Sequence, residues 1–149
     1  LLNLKGEVIG INVAMVSGAQ SIGFAIPINQ AKKSIESVKK TGRIVTPYLG
    51  VRYLILNPEL VKKEKLPVEN GVLVRGAEDG PGVMPNSPAS KAGIQAEDII
   101  IELNGEKITQ DNSLALLIKK YNVGDTIMLK ILRNGKILEL KAILEERTF

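Results

Sequence analysis

Residues 46–51 read Thr46-Pro47-Tyr48-Leu49-Gly50-Val51, and the run continues as Arg52-Tyr53-Leu54-Ile55-Leu56. Aromatic, β-branched and aliphatic residues predict that 48–56 is a strand entered through a glycine. Pro47 fixes the approach of the chain, and Gly50 permits a turn that a side chain would resist. Two readings of this entry stand side by side on composition. It is an ordinary strand start with a glycine bulge, or it is a loop whose consecutive backbone N–H groups hold a carboxylate.

Working outward, the downstream sequence alternates short strands with turn signals. Asn57-Pro58 is a cap followed by Pro at the first helical position and predicts a short helix near 58–63. Residues 71–77 predict a strand, 78–86 a Gly/Pro-rich loop, and Ser87-Pro88 a second short helix closing at Gly93. Residues 98–103 predict a strand ended by the turn pair Asn104-Gly105. Asp111 or Asn112 is the expected cap of a helix reaching about Tyr121, with Leu114, Leu117, Ile118 and Tyr121 on one face. Asn134-Gly135, between 126–132 and 136–144, is the strongest hairpin signal in the chain. The prediction is a small, partly open barrel-like sheet of five or six strands over 46–149, with a few helices: a β-rich α+β fold. Roughly 100 residues suffice for an independent domain of that kind.

Upstream, residues 7–15 (EVIGINVAM) and 22–28 (IGFAIPI) predict strands joined by turn chemistry at 17–21. Asn29 is the expected cap of a linking helix to about Lys40 within residues 29–45, stopped by Gly42. Two strands alone form a marginal hairpin. That poverty, and a start at Leu1-Leu2-Asn3, lead to the expectation that 1–28 is the end of a larger domain.

Composition narrows the chemistry. The 149 residues carry a formal charge of +4, 44% hydrophobic residues and 24% charged residues, as an ordinary globular chain does. Only 3% are aromatic and the basic residues are interspersed, so nucleic-acid binding is not expected. Cys and His are both absent, which removes disulfides, thiol nucleophiles, Cys/His metal sites and every imidazole base. No catalytic residue, metal or cofactor is expected. Asp111 and Asp125 read as helix-cap and turn residues.

Two stretches resemble the HtrA/Deg family of serine endopeptidases, in which a trypsin-like domain is followed by PDZ domains. LLNLKGEVIGIN (1–12) with IGFAIPI (22–28) is similar to the segment after that family's nucleophile motif. TPYLGV (46–51), NSPASKAGI (86–94) and DIIIELNGEKI (98–108) are similar to its PDZ domain, in order and spacing. The sequence departs from the pattern in having Glu97 where the family usually has Gly before the Asp, and in a longer loop at 78–85.

The resemblance implies that Tyr48, Leu49, Gly50 and Val51 form a carboxylate-binding loop, with Leu49 and Val51 facing the last side chain of a bound peptide. Arg52, Tyr53 and Leu54 would continue as the edge strand to which the peptide adds, with Leu117 in the pocket and Leu114 or Ile118 beside it. Arg43 and Arg52 flank the loop and read as solvated charges that could assist electrostatically, whereas Arg75 reads as a simple strand charge. Val13, Ala14 and Met15 would be the remnant of a protease substrate strand, with 16–21 and 22–25 walling a small aliphatic pocket. The implied partners are the C-terminal ends of extended or unfolded polypeptides. The implied setting is protein quality control outside the cytoplasm, in a periplasm or envelope. The exposed apolar residues of 1–28 predict self-association, and the resemblance gives no ground for a trimer.

Overall fold

The computed structural model describes residues 1–15, 23–78 and 80–147. The chain divides into two compact units, Leu1–Val45 and Thr46–Phe149. In the first, β1 (Gly10–Met15) pairs antiparallel with β2 (Gly23–Pro27), and a bulge at Val13 interrupts the register between Asn12↔Ala25 and Ala14↔Phe24. Helix α1 (Ile28–Thr41) follows directly. Its cap position is Pro27, extended at ψ 134, so Asn29 lies inside the first turn instead of capping it. Proline's ring fixes φ at that entry, and the helix starts two residues earlier than a cap at Asn29 would give. Gly42 ends α1 at φ +75 and donates its N–H to the Val38 carbonyl at 2.9 Å. This unit buries little. No residue of α1 is buried, and Val8, Ile9, Ile11, Val13, Phe24 and Ile26 are all exposed.

The second unit is built on a sheet with strand order β4 (Tyr53–Ile55), β5 (Val72–Val74), β6 (Ile99–Leu103), β8 (Thr126–Arg133) and β9 (Lys136–Ile143), with β7 (Glu106–Lys107) folded back on β6. Every pairing is antiparallel. Asn134 and Gly135 both have positive φ, as do Asn104 and Gly105, which matches the primed turns that suit twisted hairpins. A separate two-stranded ladder joins β3 (Pro47–Tyr48) to β10 (Glu145–Glu146).

The sheet is apolar on both faces, and its two-residue period sorts side chains between two clusters. Val72, Val74, Ile100, Ile127, Leu129 and Ile131 pack with Leu49, Leu114 and Leu117 on one face. Leu73, Ile99 and Leu132 pack with Leu56 on the other, where Leu60 and Val61 of α2 (Pro58–Glu64) join them. Asn57 caps α2 by accepting the Leu60 N–H, as its Asn-Pro sequence predicts. Helix α4 (Leu114–Ile118) is shorter than expected and is capped by Ser113, whose Oγ accepts the Leu116 N–H. Asn112 is engaged elsewhere, since its N–H goes to Thr109 Oγ1 and its side chain to the Lys107 carbonyl.

Candidate functional site

The stretch read as one strand is two. Pro47 and Tyr48 pair with β10, Tyr53–Ile55 pair with β5, and residues 49–52 make the crossing between them. Gly50 turns the chain there at φ +87, a conformation most side chains resist. It also sits against Ser87: a Cβ on Gly50 would lie 2.2 Å from Ser87 Cβ and 2.6 Å from its Oγ. Ser87 is buried because it has two tasks. Its Oγ donates to the Gly50 carbonyl at 3.3 Å, and it accepts the Ser90 N–H to cap α3 (Pro88–Lys91).

Accounting for the backbone groups of this crossing reveals an asymmetry. The Leu49 carbonyl accepts the Ala89 N–H at 2.8 Å, and the Gly50 carbonyl accepts the Met84 N–H at 2.9 Å. Among the described residues, no partner takes up the N–H groups of Leu49, Gly50 and Val51. The carbonyl side is pinned by α3 and the 82–84 segment, and the N–H side is available. Successive N–H groups around a left-handed residue attract anions.

The following strand has one spent edge and one open edge. Arg52 donates its N–H to Gly82 at 2.8 Å and accepts that of Arg75 at 3.2 Å, while Leu56 donates to Gly71 at 3.0 Å. Even-numbered residues therefore turn their backbone groups inward, and those of Val51, Tyr53 and Ile55 point outward. β4 is the terminal strand of the sheet, so this outward edge is open to an added strand.

The side chains distribute differently from the sequence expectation. Val51, Tyr53 and Ile118 are partly buried and all pack against the larger cluster. Leu54 is 44% exposed on the opposite face. Leu114 and Leu117 are completely buried, and Leu49 nearly so; all three belong to the core. That corrects Leu117 and Leu114 as pocket walls and Leu49 as a contact to the ligand's last side chain. The reason is that α4 has only five residues, and its i, i+3 stripe is fully used in covering the sheet. Ile118 is the one of the three helix residues left at the surface of that packing. Ser87, Met84 and Ala89, which hold the loop's carbonyls, went unnoticed in the sequence. The Ser-Pro cap was legible there, and the second bond from its hydroxyl was not.

Asp98, Arg133, Arg75 and Glu97 hold the fold beside the site. Asp98 is 1% exposed and takes a two-pronged bond from Arg133, Nε to Oδ1 and Nη2 to Oδ2, each 2.7 Å. Its Oδ2 also accepts the Gln95 N–H. The carboxylate raises the Arg133 guanidinium above its ordinary pKa. Arg75 is more than a strand charge. It clamps Glu97 through Nε and Nη2 and reaches Glu64 of α2 through Nη1 at 3.3 Å, and these carboxylates raise its pKa. Glu97, in turn, is held below the usual carboxylate value by Arg75.

In the first unit, Val13 and Ala14 are exposed on β1, and Met15 ends that strand opposite Gly23. The expected pocket loop at 16–21, with Ile22, lies outside the described residues.

Known proteins resemble this chain along most of its length. The family model for the PDZ domain matches residues 47–144. The serine protease Do-like HtrB of Bacillus subtilis is 37% identical over 153 aligned residues, which cover 99% of this chain and 33% of that protein. The periplasmic serine endoprotease DegP of Salmonella typhimurium is 38% identical, with 98% of this chain and 30% of that protein covered. The chain thus spans about a third of the length of the curated relatives it matches. Among solved structures, the HtrA-type protease AlgW with decapeptide has a TM-score of 0.78 at 29% identity, covering 97% of this chain and 43% of that one. The serine endoprotease from Yersinia pestis has a TM-score of 0.67 at 28% identity, with 99% and 46% covered. The chain belongs to the PDZ-domain family, and its close homologues are serine proteases of the HtrA/DegP type.

Proposed function

We propose that residues 46–149 bind the free carboxyl end of an extended polypeptide, as the recognition module of an HtrA/Deg-like endopeptidase engaged in protein quality control outside the cytoplasm. The observation that carries this is the run of N–H groups at Leu49, Gly50 and Val51 that have no acceptor among the described residues, placed at the head of an open sheet edge. A terminal carboxylate supplies the missing acceptors, and the rest of the peptide adds as a strand along Val51, Tyr53 and Ile55. The partly buried Val51, Tyr53 and Ile118 offer apolar contacts, which favours an aliphatic last residue. That a related structure is described as containing a decapeptide supports peptide as the ligand class. The sequence has no histidine, so these residues are read as binding polypeptide and not cutting it. Periplasmic relatives support the location. The first unit, with Val13, Ala14 and Met15, is read as the closing strands of the protease domain.

The test is a fluorescence-polarisation titration of matched peptides ending in Val, one a free acid and one a C-terminal amide. Hydrogen bonds to a charged group contribute about 1.5–3 kcal/mol, so amidation should weaken binding about tenfold or more. Equal affinity for the two would refute the carboxylate site.

A further inference from the structure

The strand geometry also bears on the residue before the ligand's last one, and this rests on the peptide-end reading above. A chain whose carboxylate sits at residues 49–51 and which runs along β4 must be antiparallel to it. The outward backbone groups are those of Val51, Tyr53 and Ile55. The ligand's last residue therefore stands opposite Val51, its penultimate residue opposite Arg52, and the next opposite Tyr53. Residues directly opposite in an antiparallel pair put their side chains on the same face. Val51 and Tyr53 pack against the larger core cluster, so the last and third-last side chains lie over that side. The penultimate side chain projects on the other face, beside Arg52.

The backbone of Arg52 is held in place there. Arg75 and Gly82 both bond to the Arg52 backbone, and the described residues between them leave the ladder as an excursion at this point. Ala77 and Gly80 close it by exchanging two bonds of 3.0 Å. A Cβ on Gly80 would lie 3.0 Å from Arg52 Nη1, 3.2 Å from Cζ and 3.3 Å from Nη2. Those three guanidinium atoms therefore occupy the space that a side chain at position 80 would need. Any side chain at position 80 would push them away. Arg52 makes other interactions in the protein. A guanidinium has five N–H donors in a rigid fork, so it can serve a protein partner and a ligand carboxylate together.

We propose that Arg52 is a specificity-determining residue that selects an acidic side chain at the penultimate position of the bound peptide, its guanidinium lying beside Gly80. The pair is solvent-facing, so the effect is moderate and weakens with salt.

The experiment compares free-acid peptides that differ only at the penultimate residue, Asp, Ala or Lys, together with a peptide of equal charge whose Asp stands one place further from the end. Cross-strand charge pairs predict Asp over Lys by about three- to tenfold. The displaced Asp should bind like Ala at the penultimate place. Arg52→Gln should bring the Asp/Lys ratio close to one, and Arg52→Lys should keep part of the preference. If Asp and Lys peptides bind equally to the unaltered protein, or the displaced Asp does as well, the assignment to Arg52 is wrong while the carboxylate site stands. If no free-acid peptide binds better than its amide, the carboxylate reading itself is lost.

Discussion

Gly50→Ala tests the foundation of the site, because two separate costs fall on one methyl group. The first is conformational: φ +87 is unfavourable for an L side chain by about 1–2 kcal/mol. The second is steric. The new Cβ would stand 2.2 Å from Ser87 Cβ, where carbon atoms normally rest about 3.5–4.0 Å apart. Ser87 cannot yield freely, since it caps α3 and bonds to the Gly50 carbonyl. Overpacking of this kind costs about 1–3 kcal/mol, which brings the total to roughly 2–5 kcal/mol. With a urea dependence of about 1–3 kcal/mol per molar, the unfolding midpoint should drop on the order of 1–2 M. Adding Ser87→Gly should restore the steric part and not the conformational part, because Gly at a cap position costs only a few tenths of a kcal/mol or so. A midpoint that stays put in Gly50→Ala, or strictly additive losses in the double variant, would refute this account.

Leu117→Ala should destabilise by about 2–5 kcal/mol as a core truncation, whereas Leu116→Ala, at a residue 41% exposed, should cost well under half of that in the same urea titration. Asp98→Asn should cost about 2–3 kcal/mol in chemical denaturation, less than the ~3–5 of a fully buried broken pair because Arg133 is 23% exposed. Glu97 has a folded pKa below its ordinary 4.5, so its contribution is complete above that value and disappears as the pH falls through the lower folded value. Since its side chain is 59% exposed, Glu97→Gln should lose under about 1 kcal/mol at neutral pH, and the gap from the unaltered protein should close in acid.

What could be read from the sequence was whatever depends on neighbours along the chain. Asn57-Pro58, Ser87-Pro88, Asn104-Gly105 and Asn134-Gly135 announce caps and turns through bonds spanning a few residues, and each stands where expected. The errors fall where a distant partner decides. Residues 48–56 look like one strand, yet β10 claims one end and β5 the other. Asp111, Asn112 and Ser113 can all cap, and the choice of Ser113 depends on Asn112 being committed to Thr109 and Lys107. Leu117 carries the same helical stripe whether it faces core or groove, and only the short span of α4 places it inside.

Glu97 shows how a departure from pattern is accommodated. Its φ is +68, so the position demands the left-handed conformation that glycine adopts without strain. Glutamate there carries a cost of about 1–2 kcal/mol. In return, its N–H reaches the Val74 carbonyl at 2.7 Å and its carboxylate takes both prongs of Arg75, whose own N–H holds the Arg52 carbonyl. A side chain placed at a strained turn thus braces the inner edge of the strand whose outer edge is open. The bracing is consistent with the loop itself, where the Leu49 and Gly50 carbonyls are bound from within and their N–H groups have no acceptor among the described residues. A strand held along one side offers the other side already in shape, so a ligand adding to it orders little besides itself.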